Sequence, residues 1–230
     1  MKRFFYNVGL LVAVGFAVAV CASCGKDDDA SKNGGSTLNM GGASVGGVFT
    51  IAASNVSGNT QAIHTVKADI EDWLQPQAVF VNNGFSLQLP TAIDSKDLYL
   101  CANDAQEGVA ISDRNAQWTW LNRIYAYNQN DSKIGDIDLY WENENSDCYV
   151  SWVYVDRNVS ITGNDEGGIY NLNLKKGWNV VYDFEDYTND VNTITSTKPS
   201  GVNLQWEFDS YTKSMIVKSG ATLVKKHRNK

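Results

Sequence analysis

Short runs of β-branched and aromatic residues, separated by Asn, Asp, Gly and Ser, recur from residue 47 to residue 217. They fall at 47–53, 63–70, 78–81, 85–89, 98–102, 123–127, 134–141, 148–155, 159–162, 169–174, 178–184, 192–196, 204–208 and 214–217. Each has the length and composition of a β-strand. Apolar and polar positions alternate most clearly in Phe85-Ser86-Leu87-Gln88-Leu89 and Ile137-Asp138-Leu139-Tyr140-Trp141. A period of two puts one face of a strand in a core and leaves the other to solvent.

Turn signals punctuate these runs. Asn82-Asn83-Gly84 has the residues that tolerate the positive φ of a type I′ turn. Lys175-Lys176-Gly177 and Asp156-Arg157-Asn158 separate later runs in the same way, and the three together predict an antiparallel meander. The best helical stretch is 114–121, where Ala116, Trp120 and Leu121 share a face. The pattern therefore predicts an all-β chain folded as an antiparallel β-sandwich, with a closed antiparallel β-barrel, or two small β modules meeting near 103–118, as the alternatives. Only three prolines and 19 glycines suit tight turns between strands.

The first 23 residues follow a different pattern. Lys2 and Arg3 precede an uncharged apolar run ending in Ala22-Ser23, and Cys24 follows. A basic start, an apolar middle and small residues at the end make a cleavable export signal. The apolar portion is short of the length that spans about 30 Å of hydrocarbon, and Gly9 and Gly15 interrupt it, which argues against an uncleaved transmembrane helix. Cleavage before Cys24 leaves its thiol and amine open to acylation, and buried acyl chains at about 0.8 kcal/mol per CH₂ anchor a protein stably.

The segment Cys24-Gly25-Lys26-Asp27-Asp28-Asp29 resembles the surface-exposed lipoproteins of Bacteroidota. Cys21 stands where an aliphatic residue is usual in that group. The resemblance implies lipidation at Cys24 and an export signal at Lys26, Asp27, Asp28 and Asp29. It also implies an outer-membrane location with the folded part facing outward, held to the membrane by the N-terminal lipid. It covers residues 1–29 and implies nothing about ligand or activity.

Residues 24–46 are Asp, Ser, Asn and Gly with little apolar content, the composition of a flexible tether. The β domain is expected over 47–224, followed by a basic tail at 225–230. The chain carries 26 acidic against 19 basic side chains, and losing residues 1–23 with Lys2 and Arg3 makes it more acidic still. An acidic chain without a basic stripe is not a nucleic-acid binder.

Cys101 and Cys148 remain after the signal and the lipid take Cys21 and Cys24. A disulfide between them would contribute about 3–4 kcal/mol by closing a long loop; two separately buried thiols are the alternative. With two histidines, His64 and His227, these do not make a zinc cage, and no metal or other cofactor is expected.

Seven tryptophans and eleven tyrosines are the remaining signal. Flat rings stack on sugar rings, and they also fill β cores and cross-strand pairs. Trp118 and Trp120, in a segment expected to be a loop, with Trp141 and Trp178, are the candidate ligand-binding residues. Carboxylates gather at Asp136, Asp138, Glu142 and Glu144, and at Asp183, Glu185 and Asp186. No spacing among them selects a hydrolytic pair, and neither a Gly-x-Ser-x-Gly turn nor a glycine-rich phosphate loop is present. The sequence thus points to a non-enzymatic, lipid-anchored surface protein whose β domain binds a glycan or another extracellular partner. A structural subunit of an outer-membrane or adhesive assembly is the second expectation, and a hydrolase the third.

Overall fold

The computed structural model describes residues 42–45, 48–70, 74–103, 107–165 and 168–211. Fifteen strands run through them in chain order: β1 (Ala43–Val45), β2 (Val48–Ala53), β3 (Thr65–Ile70), β4 (Gln77–Val79), β5 (Phe85–Gln88), β6 (Tyr99–Leu100), β7 (Val109–Ile111), β8 (Gln117–Tyr127), β9 (Lys133–Glu142), β10 (Ser146–Val155), β11 (Val159–Asp165), β12 (Gly168–Leu174), β13 (Gly177–Asp186), β14 (Val191–Thr195) and β15 (Gln205–Ser210). Three short 3-10 turns lie between the strands. The fold is an all-β sandwich, open rather than closed into a barrel. A three-stranded sheet, β1-β2-β5, accompanies a twelve-stranded one ordered β4-β3-β8-β9-β10-β13-β14-β12-β11-β7, with β15 on β9 and β6 on β8.

The large sheet forks where β8, β9 and β10 meet. Tyr125 to Tyr127 pair with β9, Trp118 to Leu121 pair with Val155 to Trp152 of β10, and Asp147 to Tyr149 pair with Glu142 to Tyr140. All pairings between these strands are antiparallel except β12 with β14.

Burial follows the two-residue period. On β10 the even positions Cys148, Val150, Trp152 and Tyr154 join one core with Ile51, Leu87, Val66, Ile124, Leu139 and Leu204. The odd positions Val153 and Val155 join a second core with Val181, Ile161, Leu172 and Leu174. One strand thus serves two cores, and the seam of the first is aromatic. Trp206 stacks on Trp152 with centroids 6.0 Å apart and meets Phe85 edge-on at 5.3 Å. Each such ring contributes about 2–3 kcal/mol by burial alone.

The predicted meander does not form, although its turns do. Asn82 and Asn83 both have positive φ, between Val81 and Gly84, which exchange backbone hydrogen bonds. This turn carries the chain from the large sheet at β4 to the small one at β5. Gly84 has ordinary φ; its role is proximity, since a Cβ there would sit 2.3 Å from the carbonyl oxygen of Ala53. Gly177, with φ of 100°, ends the turn from β12 to β13, and Asp156-Arg157-Asn158 joins β10 to β11, yet neither pair of strands is hydrogen-bonded. Tight turns between unpaired strands are corners at which the chain changes layer.

The hairpins lie elsewhere and are closed by Asx side chains. The Asn128 carbonyl oxygen accepts from the Asn130 and Ser132 amides, Asn143 from Asn145 and Ser146, and Asp186 from Thr188 and Asn189. These side chains imitate a backbone turn.

The helical expectation over 114–121 is also corrected: most of it is the start of β8, paired to β6 and β10. Strand β1 lies inside the stretch expected to be tether, paired to β2. The expected signal, Cys24, Lys26, Asp27, Asp28 and Asp29, the strand at 214–217 and the basic tail lie outside the described residues. Among those described, no helix is long and apolar enough to cross a membrane.

Candidate functional site

Strand β9 buries Ile137 and Leu139 and turns Asp136, Asp138 and Tyr140 to the opposite face. Cross-strand register extends that face in rows. Tyr140 lies opposite Tyr149 on β10 and Gln205 on β15, and Tyr149 opposite Asp183 on β13. On one side of this tyrosine row, Glu142, Asp147 and Glu185 stand in register across β9, β10 and β13. On the other, Asp138 faces Glu207 and Asp136 faces Asp209. Two carboxylate groups separated in sequence, around residues 136–142 and 183–185, are thereby brought onto one surface.

The tyrosine rings are stacked, 5.6 Å between centroids and 15° between planes, and Tyr149 is 44% exposed. Tyrosine hydroxyls supply donors to the carboxylates: Tyr140 to Glu207 at 2.5 Å, Tyr187 to Asp147 at 2.6 Å and Tyr211 to Asp136 at 2.7 Å. The bond to Glu207, then burial, holds the Tyr140 hydroxyl well above its ordinary range, because ionisation would set two anions side by side. Burial, then the surrounding carboxylates, raises Tyr149 as well. Asp138 is pushed up to about 6, first by burial and then by Asp136, with Arg123 opposing and Asp209 and Glu207 adding to the rise.

Cations are scarce on this face. Arg123 pairs with Asp136 at 3.1 Å. Lys67 and Lys133 lie at its margin over the rings of Tyr127 and Tyr125. Among the described residues, Asp138, Glu142, Asp147, Glu185, Glu207 and Asp209 form no ion pair. The surface is an aromatic pair set in hydrogen-bond acceptors.

The tryptophans singled out from the sequence do not form one platform. Trp178 is a core residue: it is 9% exposed, its indole N–H donates to the Pro90 carbonyl at 2.9 Å, and it meets Tyr154 edge-on. That burial removes it from any surface role. Trp118 and Trp120 sit on a strand rather than in a loop, edge-to-face at 5.4 Å, half-buried over the second core. Trp141 is half-buried against the first core. Of the two alternatives for Cys101 and Cys148, the structure shows the second: both are buried, in different cores, and no disulfide joins them. Burial raises the Cys148 thiol to about 11.

Tyr140, Tyr149, Asp147, Glu207 and Asp209 were not singled out in the sequence. Alternation alone places Tyr140 and Asp138 on one face, but register was needed to set Tyr149 beside them. Glu144 falls in the turn after β9, and Asp186 closes the turn after β13. His64 lies exposed just before β3. A separate shallow concavity is lined by Thr162, Gly163, Asn164, Ile169, Tyr170 and Asn171 on the β11–β12 hairpin. No group of three His, Cys, Asp or Glu side chains among the described residues is placed to hold a metal ion. No protein-family model, curated protein or solved structure matches the chain.

Proposed function

We propose that this chain is a non-enzymatic binding protein, lipid-anchored through Cys24 at the outer membrane and displayed on the cell surface, whose β-sandwich binds a glycan. The observation that carries the binding reading is the Tyr140–Tyr149 stack, with Tyr149 exposed, among carboxylates on one sheet face. Exposed rings offer C–H stacking surfaces to sugars, and fixed carboxylates accept from sugar hydroxyls. The location rests on the sequence Met1 to Asp29. Exchange of Cys24 for Ala should abolish labelling by a radioactive or clickable fatty acid and release the protein from the membrane fraction; labelling unchanged by the exchange contradicts the anchor.

A second reading, a subunit of an envelope or adhesive assembly, has one observation in its favour. Val79 and Val81 are 65% and 59% exposed at the β4 end of the large sheet, and exposed apolar side chains at a sheet edge suit strand addition. Mild crosslinking on cells that recovers one specific partner, lost on Val79→Lys, supports this reading; recovery of none removes it.

A further inference from the structure

The concavity on the β11–β12 hairpin, away from the tyrosine pair, has a volume of about 470 Å³. That lies within the roughly 300–1,000 Å³ of small-ligand sites. Both strands of the hairpin are interior to the sheet, β11 being paired to β7 and β12 to β14. The lining side chains therefore stand on backbone held from both sides, as a preformed site requires.

Register sets their pattern. Thr162 lies opposite Asn171, and Asn164 opposite Ile169. All four are exposed, whereas Tyr170 between the last two is half-buried against the second core, so the four share the outward face. Cross-strand neighbours are about 5 Å apart, and same-face neighbours along a strand about 6.8 Å. The four residues thus mark the corners of a rectangle, with the two carboxamides on one diagonal and Thr162 and Ile169 on the other.

No charged residue lines the concavity. Among the described residues the side chains of Thr162, Asn164 and Asn171 engage no partner, which leaves two amide donor groups, two carbonyl acceptors and a hydroxyl uncommitted. Ile169 stands 45% exposed among them. A charged ligand group would lie here with no opposite charge to offset its desolvation. A plain pyranose gains most from stacking on an aromatic face, and the ring in the lining, Tyr170, packs on the second core. Paired amides beside a small aliphatic side chain match a group that carries one donor, one acceptor and a methyl.

We infer that this concavity binds the acetamido group of an N-acetylhexosamine unit, as a second site that does not depend on the tyrosine face. The acetamido carbonyl accepts from one carboxamide, its N–H donates to the other, and its methyl rests on Ile169. The Thr162 hydroxyl is left for a neighbouring sugar hydroxyl, a contact that an acetylated lysine cannot make.

The test is calorimetric titration of the full chain, solubilised in a detergent without a sugar headgroup. Three probes are used: an N-acetylglucosamine hexamer, cellohexaose, which has the same backbone with a hydroxyl in place of each acetamido group, and a hexamer of acetyl-lysine. The N-acetylglucosamine hexamer should bind about tenfold or more tighter than cellohexaose. Asn164→Ala/Asn171→Ala should weaken it by about tenfold or more with an unchanged circular dichroism spectrum, and Tyr149→Ala should leave it unchanged. Absence of binding, or equal affinity for cellohexaose, overturns the inference. Weakening by Tyr149→Ala but not by the asparagine pair also overturns it, and leaves the glycan reading of the tyrosine face standing. Acetyl-lysine hexamer binding as tightly as the sugar overturns it in favour of an acetylated protein partner.

Discussion

Tyr140 and Tyr149 lie directly opposite one another on β9 and β10, their rings stacked at 5.6 Å, and only one of the two hydroxyls is anchored. The Tyr140 hydroxyl donates to Glu207, whereas that of Tyr149 forms no hydrogen bond among the described residues. Tyr140→Phe should therefore lower stability by about 0.5–1.5 kcal/mol, and Tyr149→Phe by less than about 0.5 kcal/mol. Urea denaturation midpoints of the two variants measure the difference. Equal midpoints would mean that the bond to Glu207 contributes nothing.

Asp138 makes stability fall with rising pH. Its folded pKa of about 6 lies above the ordinary 3.8, so the native state holds a proton that the unfolded chain gives up. The stability associated with that proton is fully present below pH 3.8 and lost as pH rises through 6. Asp138→Asn, which cannot ionise, should stabilise the protein by roughly 1–3 kcal/mol at pH 8 and make little difference near pH 4. Thermal melts of both proteins at the two pH values provide the check, and an equal difference at both would contradict the assigned cause.

Trp206 joins the small sheet to the large one through Phe85 and Trp152. Trp206→Ala should cost about 3–5 kcal/mol, the range for emptying an aromatic site in a packed core. Trp118→Ala, from a half-buried ring on the second core, should cost less. Guanidinium unfolding ranks them, and a milder Trp206 variant would show that the two layers close without this seam.

No disulfide joins Cys101 and Cys148, so a reductant should leave the melting temperature unchanged. The raised Cys148 thiol and its burial keep it protonated and out of reach, so thiol reagents should label both residues only after unfolding. A fall in melting temperature on adding dithiothreitol would restore the bridge.

The strands were legible from the sequence because alternation such as Ile137-Asp138-Leu139-Tyr140 is a local signal. The turns at Asn82 and Gly177 were legible for the same reason. What each turn joins was not, since a corner between layers and a hairpin use the same residues, and only packing decides which forms. Burial of tryptophans was equally hidden. Trp178 on β13 and Trp118 on β8 both stand near the start of a strand, yet one is buried in the first core with its indole N–H on the Pro90 carbonyl and the other lies half-buried over the second core. Half of the candidate face was visible as clustered carboxylates. The other half, Asp147, Tyr149, Glu207 and Asp209, arrives through register between strands distant in sequence.

The account stands most directly on one comparison: binding of the full chain and of its Tyr149→Ala variant to an array of polysaccharides. Tyr149 is exposed, so its loss should change stability little while removing a stacking surface worth about tenfold in affinity. The predicted result is that the native chain binds at least one glycan and the variant binds it about tenfold more weakly. Equal binding by both, or none by the native chain, would contradict a glycan site on this face.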